Sequence, residues 1–433
     1  MILSINTIKN ENITFQKSSK LKRVSTYRDL KLIPNLNCAC CDKKMINPKK
    51  FNELFCNITL PLETMINEGF FAGWEKSPVA WNLLNFIAKA YPKKSLDQIN
   101  LLDEKDNHGL FEAVRKSLIL NPRNTSYYND DELFAETKNL YKDIIYRSRG
   151  KLVDAKTVLN KFKVFKKSLS KQKLETFIQL EIYAQKYSNK TLSEILAIDE
   201  IYKFHATKDL LQRAETREKL DYHFGNIKKM ITKKNPELEE DCDILKDNAL
   251  ELFKVEKDSC ARLPKIKEMY NKFLQEKDCQ KLIKAVDKEL EQIPITFITK
   301  DSFLAYAHRH KLNDFQILSS ILTPSVANYE DIIPLSKGGR KGFKNGLVFC
   351  KDCNIKRSST PYTEFITYHP EMLKNVKKQI DKIAKFILKN DASQEATLYP
   401  FGVSNTLRNY TNGLIDIDTS IYYEKLINSK QSE

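Results

Sequence analysis

Glu330-Asp331-Ile332-Ile333-Pro334-Leu335-Ser336-Lys337-Gly338-Gly339 is followed, a short basic stretch later, by Asn345-Gly346-Leu347-Val348 and then by Cys350-Lys351-Asp352-Cys353-Asn354. Tyr329 to Leu335 is apolar and β-branched enough for a strand. Lys337-Gly338-Gly339 reads as a turn, because glycine accepts positive φ at little cost, and Gly346 to Cys350 suits a return strand. Cys353-Asn354 then leads toward a helix, giving the order strand, loop, strand, helix. A second Cys-x-x-Cys lies near the other end of the chain, within Cys38-Ala39-Cys40-Cys41. Two such pairs have the ligand spacing of a four-thiolate zinc site. Cys40 leaves open which thiols ligate, although Cys38 with Cys41 has the better spacing.

Between the two pairs the sequence reads as helix. From 51 to 295 glycine is scarce, and apolar residues recur at helical spacing. Ser77-Pro78 is a cap with proline at the first helical position, and Val79, Leu83, Phe86, Ile87 and Ala90 follow on one face. Asp130 or Asp131 starts a further helix running to Gly150. Leu174, Phe177, Ile178 and Ile182 form one stripe. Ile266, Met269, Tyr270 and Phe273 form another, and Leu282, Ile283, Val286 and Leu290 a third. Pro236, Pro264 and Pro294 punctuate the region. Ile295 to Thr299 suits a short strand, and Asp301 or Ser302 caps a helix carrying His308 and His310. Pro361 to Phe365 and Pro370 to Lys389 read as helical.

The resulting expectation is a mainly α protein with a large helical insertion inside a small split module of strand, loop, strand and helix tied by a zinc site. Residues 1–50 are a basic arm and first zinc knuckle, 51–295 the helical insertion, 296–390 the ββα module with flanking helices, and 391–433 a polar tail with no assigned role.

The 433 residues carry 72 Lys plus Arg against 56 Asp plus Glu, a formal net charge of +16. That surplus favours an anionic partner, with nucleic acid first and an anionic membrane surface second. No apolar run is long enough to span a bilayer. Met1-Ile2-Leu3-Ser4-Ile5 lacks the pattern of a signal peptide, so a cytoplasmic protein is expected. Thiols there stay reduced, and Cys56, Cys242, Cys260 and Cys279 read as small buried hydrophobes.

The run from Glu330 to Asn354, with its cysteine pairs, resembles the HNH endonuclease family, whose small ββα-metal fold cuts nucleic acid. The resemblance covers 38–46 and 328–365. It implies that Cys38, Cys41, Cys350 and Cys353 form a structural Zn²⁺ site, and that Glu330 and Asn354 hold a divalent Mg²⁺ or Mn²⁺. It further implies that Asn345 braces the catalytic loop. Where the family carries its catalytic histidine, this chain has Asp331. By the same resemblance a role in restriction or antiviral defence is expected, with DNA favoured over RNA.

A phosphodiester resists attack because it is anionic. A hard divalent ion offsets the charge that builds on it, and a general base takes the proton of the attacking water. Aspartate, with a reference pKa of ~3.9, is a weaker base than histidine by about two to three units. Asp331 acts through its carboxylate, or joins Glu330 as a metal ligand. The latter needs a bend at the strand end, since strand neighbours point to opposite faces. Lys337, Arg340, Lys341, Lys344, Lys356 and Arg357 crowd the motif as phosphate contacts. His308 and His310, two apart on a helix, do not share a face, and His108, His205, His223 and His369 read as isolated packing residues. Two other readings stand beside the enzyme: an inactive nucleic-acid-binding protein, and a helical scaffold that meets a protein partner through its insertion.

Overall fold

The computed structural model describes residues 23–56, 60–95, 98–99, 153–294 and 302–424, apart from 70, 72, 74–77 and 423. The expected helix from 130 to 150, the strand at 295–299, Ser77, His108 and the basic residues before Arg23 lie outside them. Over the described residues the chain is mainly helical, with two small two-stranded sheets.

After β1 (Arg23–Val24) and the cysteine knuckle come α1 (Pro48–Cys56), α2 (Leu62–Asn67) and α3 (Pro78–Ala90). The next set is α4 (Ala155–Phe162), α5 (Lys171–Lys186) and α6 (Leu192–Leu196). Their starts are set by side chains. Asp154 accepts from the Thr157 amide at 2.9 Å, and Thr191 with Glu194 forms a capping box before α6. The 34-residue α7 (Asp199–Thr232) then runs about 51 Å at 1.5 Å per residue. Its first turns bury Ile201 in one core with Val158, Phe162, Phe177 and Ile195, while its last turns bury Phe224, Ile227 and Ile231 in another. That second core is closed by α8 (Glu239–Val255), α9 (Ser259–Glu276) and α10 (Ile283–Leu290) through Ala249, Tyr270 and Val286.

Three helical expectations are corrected. On α5 the buried residues are Phe177, Leu180 and Ala184, while Ile178 and Ile182 stand 41% and 52% exposed. The apolar stripe there is wider than the face the core uses. Pro264 lies inside α9 rather than ending a helix. Cys242 and Cys279 are buried, but Cys260 is exposed.

The packing also divides the chain differently from the linear scheme. α11 (Phe303–Arg309) and α12 (Asp314–Leu322) give Leu304, Ala307, Ile317 and Ile321 to the core around α4 to α6, so they pack as part of the helical insertion. Ser302 caps α11, accepting from the Ala305 amide.

The last core joins both ends of the chain. It holds Val24, Leu30 and Leu36 from the N-terminal side. From the C-terminal side it holds β2 (Ala327–Asp331), β3 (Gly346–Cys350), α13 (Lys351–Arg357), α14 (Tyr362–Tyr368) and α15 (Met372–Lys389). β4 (Asp391–Ala392) pairs in parallel with β1, and α16 (Gln394–Thr397) and α17 (Tyr399–Tyr410) follow. Ala396, Tyr399, Val403, Leu407, Ile415 and Ile417 are buried there, so the stretch read as a tail is a wall of this core. No helix among the described residues is long and apolar enough to cross a membrane.

Candidate functional site

β2 and β3 pair antiparallel with Glu330 opposite Leu347 and Asp331 opposite Gly346. The first strand ends at Asp331, earlier than the sequence pattern suggested. The reason is Asn345. Its Oδ1 accepts from the Ile333 amide at 2.8 Å and its Nδ2 donates to the Ile333 carbonyl at 3.0 Å, which pulls the chain out of the strand into a loop. Gly338 turns that loop at φ 83°, and a Cβ on Gly339 would lie 1.9 Å from the Ile333 carbonyl oxygen, so both glycines are structurally required. Gly346 is fixed in another way: the Tyr329 ring crosses it where a Cβ would sit, and the Tyr329 hydroxyl donates to the Gly342 carbonyl.

α13 leaves β3 directly and packs Asn354 and Arg357 against the first strand. Asn354 Nδ2 donates to Glu330 Oε2 and, at 3.3 Å, to the Tyr329 carbonyl. Arg357 is 1% exposed. Its Nη1 donates to Glu330 Oε1 and to the Asp331 carbonyl at 2.8 Å, and its Nη2 donates to the Ile332 carbonyl at 2.9 Å. The guanidinium lies over the Tyr362 ring, 4.1 Å from its centroid. Arg357 is therefore an internal brace and does not reach a phosphate, against the sequence reading. Lys356 is half-buried and pairs with Asp352 at 3.0 Å one helical turn away. Lys337, Arg340, Lys341 and Lys344 are exposed on the loop.

Glu330, Asp331, Asn354 and Arg357 line one open cleft of about 480 Å³ with Asn328, Pro334, Ser336 and Ser358. No histidine is among its lining residues. Burial pushes the Glu330 carboxyl up to about 7, against the pull of Arg357. Asp331 is also raised by burial, opposed by Lys341 and Arg357, and its Oδ1 is buried without a hydrogen-bond partner. The bend after Asp331 lets neighbouring carboxylates share a cleft that a straight strand would place on opposite faces.

The Sγ atoms of Cys38, Cys41, Cys350 and Cys353 all lie within 4.8 Å of one another. Tetrahedral zinc with bonds of ~2.3 Å needs sulfurs about 3.8 Å apart, so the set fits a metal ion with little movement. Cys40 is buried beside the group but outside it. Hydrogen bonds from the neighbouring thiols lower Cys41, and one with Cys353 lowers Cys350; burial raises Cys38. Four sulfurs so close cannot all ionise without a cation between them. The knuckle is preformed by backbone bonds: the Cys38 amide donates to the Lys43 carbonyl at 2.9 Å, and the Cys350 amide donates to Cys38 Sγ at 3.2 Å.

α15 holds both halves together. Gln379 accepts from the Val348 amide at 2.9 Å and donates to the Asn37 and Val348 carbonyls, and Asn375 donates to the Cys40 carbonyl at 2.7 Å. Sequence reading missed these two amides. Their signal was a pair of polar residues, four apart, on the face that also carries Val376, Ile380 and Ile383.

The other histidines are placed away from the cleft. His308 Nδ1 meets the Leu196 carbonyl and its ring stacks on Tyr202, His205 meets the Tyr183 hydroxyl, and His223 meets Glu289. His310 packs on Tyr306. His369 is not isolated, as it lies beside Asp258 and Cys260.

No family model, curated protein or solved structure matches the chain.

Proposed function

We propose that the chain is an HNH-like metal-dependent endonuclease that hydrolyses phosphodiester bonds of nucleic acid, with Asp331 in the place of the family's histidine. The observation that carries the reading is the gathering of Glu330, Asp331 and Asn354 on one cleft, with Asp331 Oδ1 buried and unpartnered. The four cysteines take Zn²⁺ as a structural ion, since four clustered thiols, three of them buried and Cys41 partly so, suit a soft-ligand tetrahedral site that closes on itself. The side-chain oxygens of Glu330 and Asn354 would hold a hard ion, Mg²⁺ or Mn²⁺, whose positive charge would offset that of the phosphate.

The remaining roles fall to the chain itself. Asp331 takes the proton of the attacking water. Asn345 keeps the loop bent so that Asp331 faces the cleft, and Arg357 holds Glu330 in place. Lys337, Arg340, Lys341 and Lys344 meet phosphates from the exposed loop, in a manner that weakens with salt. DNA as substrate and a place in restriction or phage defence rest on the family resemblance.

A second reading is favoured by one observation: both oxygens of Glu330 are already engaged, by Arg357 and Asn354. A carboxylate so satisfied suits a module that grips nucleic acid without cutting it. The test is incubation of the full chain with supercoiled plasmid and Mg²⁺ or Mn²⁺, beside Glu330→Ala, Asn354→Ala and Asp331→Asn. Nicking that all three substitutions abolish supports the enzyme. Salt-sensitive binding with no nicking in any metal supports the binding protein, and cleavage gained by Asp331→His would then identify the lost base.

A further inference from the structure

Among the described residues, one group of side chains besides the four cysteines brings Cys, His and Asp ligand atoms close together. It lies where the helical insertion meets the zinc module, between the start of α9 and the end of α14. Asp258 caps α9, accepting from the Cys260 amide at 3.1 Å through Oδ1. Its other oxygen, Oδ2, lies 2.6 Å from His369 Nε2. Asp258 is 2% exposed and His369 is 6% exposed, whereas Cys260 opens to solvent. One ligand atom from each of the three lies within 4.8 Å of the other two.

We propose that Asp258, Cys260 and His369 form a second divalent transition-metal site, separate from the four-cysteine cluster, that staples the helical insertion to the module. One carboxylate oxygen, one thiolate and one imidazole nitrogen make a mixed donor set of intermediate softness, which suits Zn²⁺ or Co²⁺ and not Mg²⁺ or Ca²⁺. Three protein ligands with one solvent-facing side leave a fourth position for water. The imidazole is already held for the task. Its face packs on Phe365 with centroids 4.4 Å apart, and its far nitrogen, Nδ1, lies 3.6 Å from Glu371 Oε1. A carboxylate behind a ligating histidine is the arrangement that orients such rings in metal sites.

A simple ion pair would explain Asp258 and His369 but leaves the thiol unaccounted for. A hydrogen bond of 2.6 Å places one proton between Asp258 Oδ2 and His369 Nε2, and that is where a cation would enter. Binding one dication releases this proton and the thiol proton of Cys260, so an aspartate, a thiolate and a neutral imidazole face the metal. The junction has further ties that do not depend on metal: Lys265 meets Glu256 and lies 5.9 Å from the centre of the Tyr368 ring.

The test is metal content per chain of the full-length protein, loaded with Zn²⁺ and freed of loose ion by gel filtration. Cys260→Ser is conservative at an exposed position, and Asp258→Asn keeps a capping oxygen for α9. Each variant is expected to hold about one zinc fewer per chain than the wild type. Cys260→Ser, at an exposed position, should keep its melting profile in chelator, whereas Asp258→Asn also gives up its buried pair with His369 and should melt lower. The difference is independent of whether the four-cysteine cluster is filled, so it separates this site from the structural ion proposed above. Equal zinc content in wild type and Cys260→Ser overturns the proposal, and so does a loss in Cys260→Ser that Asp258→Asn does not share.

Discussion

Replacing Arg357 by methionine isolates what the buried ion pair under the cleft contributes. Methionine keeps most of the side-chain volume but removes the charge and the donors. The wild-type guanidinium serves Glu330 and the carbonyls of Asp331 and Ile332, in a site where Arg357 is 1% exposed. After substitution Glu330 retains Asn354 alone, and two buried carbonyls lose charged donors. Breaking a buried pair from one side costs about 3–5 kcal/mol, most of it from the stranded charge. Removing both partners leaves no stranded charge, so Arg357→Met with Glu330→Leu should recover the larger part of that loss. The assay is urea denaturation of the full chain, followed through the transition of the module that carries the four cysteines. A cost below about 1 kcal/mol for Arg357→Met, or a double variant less stable than the single one, would refute the reasoning.

Three further outcomes are expected. Gly339→Ala should displace the loop and lower the melting temperature of the module by the equivalent of about 1–3 kcal/mol, since the added Cβ meets the Ile333 carbonyl at 1.9 Å and backbone cannot yield there. If the chain binds nucleic acid as proposed, Lys341→Ala should leave thermal stability unchanged while reducing the salt slope of that binding by about 1, measured by fluorescence anisotropy across a salt series. Glu289 accepts from Asn226 Nδ2 at 2.9 Å and pairs with His223 at 2.8 Å, and these contacts hold its carboxyl below the ordinary range. A depressed folded pKa gives stability that is present above the unfolded value and lost as pH falls through the folded one. Glu289→Gln should therefore lessen the acid sensitivity of the second helical core, read as melting temperature against pH.

The hairpin was legible because its signals are local. Gly338-Gly339 marks a turn and the Cys-x-x-Cys a ligand pair, each within a few residues, and the return strand falls at Gly346–Cys350 as the pattern required. The pairing of Cys38 and Cys41 with Cys350 and Cys353 was legible from thiolate spacing, and their sulfurs do lie together. What sequence could not give was the use of long polar side chains. Arg357 sits in a basic run that looks like a phosphate contact, yet the partner that buries it, Glu330, lies on another element. Gln379 looks like any polar helix residue until the return strand and the cysteine knuckle that it bridges are known. Helical stripes gave the helices but not the layout. Ile178 fits the period as well as Leu180, and only the packing of α4 and α12 decides which one is covered.

The Cys350 amide reaches a sulfur 312 residues earlier in the chain. At a synthesis rate of about 5–20 residues per second, the second half of that cluster leaves the ribosome roughly 15–60 s after the first. During the wait the early thiols have no companions, while the helical body can already collapse on its own cores. A translation product interrupted before Gly346 carries neither the return strand nor Asn354, so a chain that short cannot assemble the cleft.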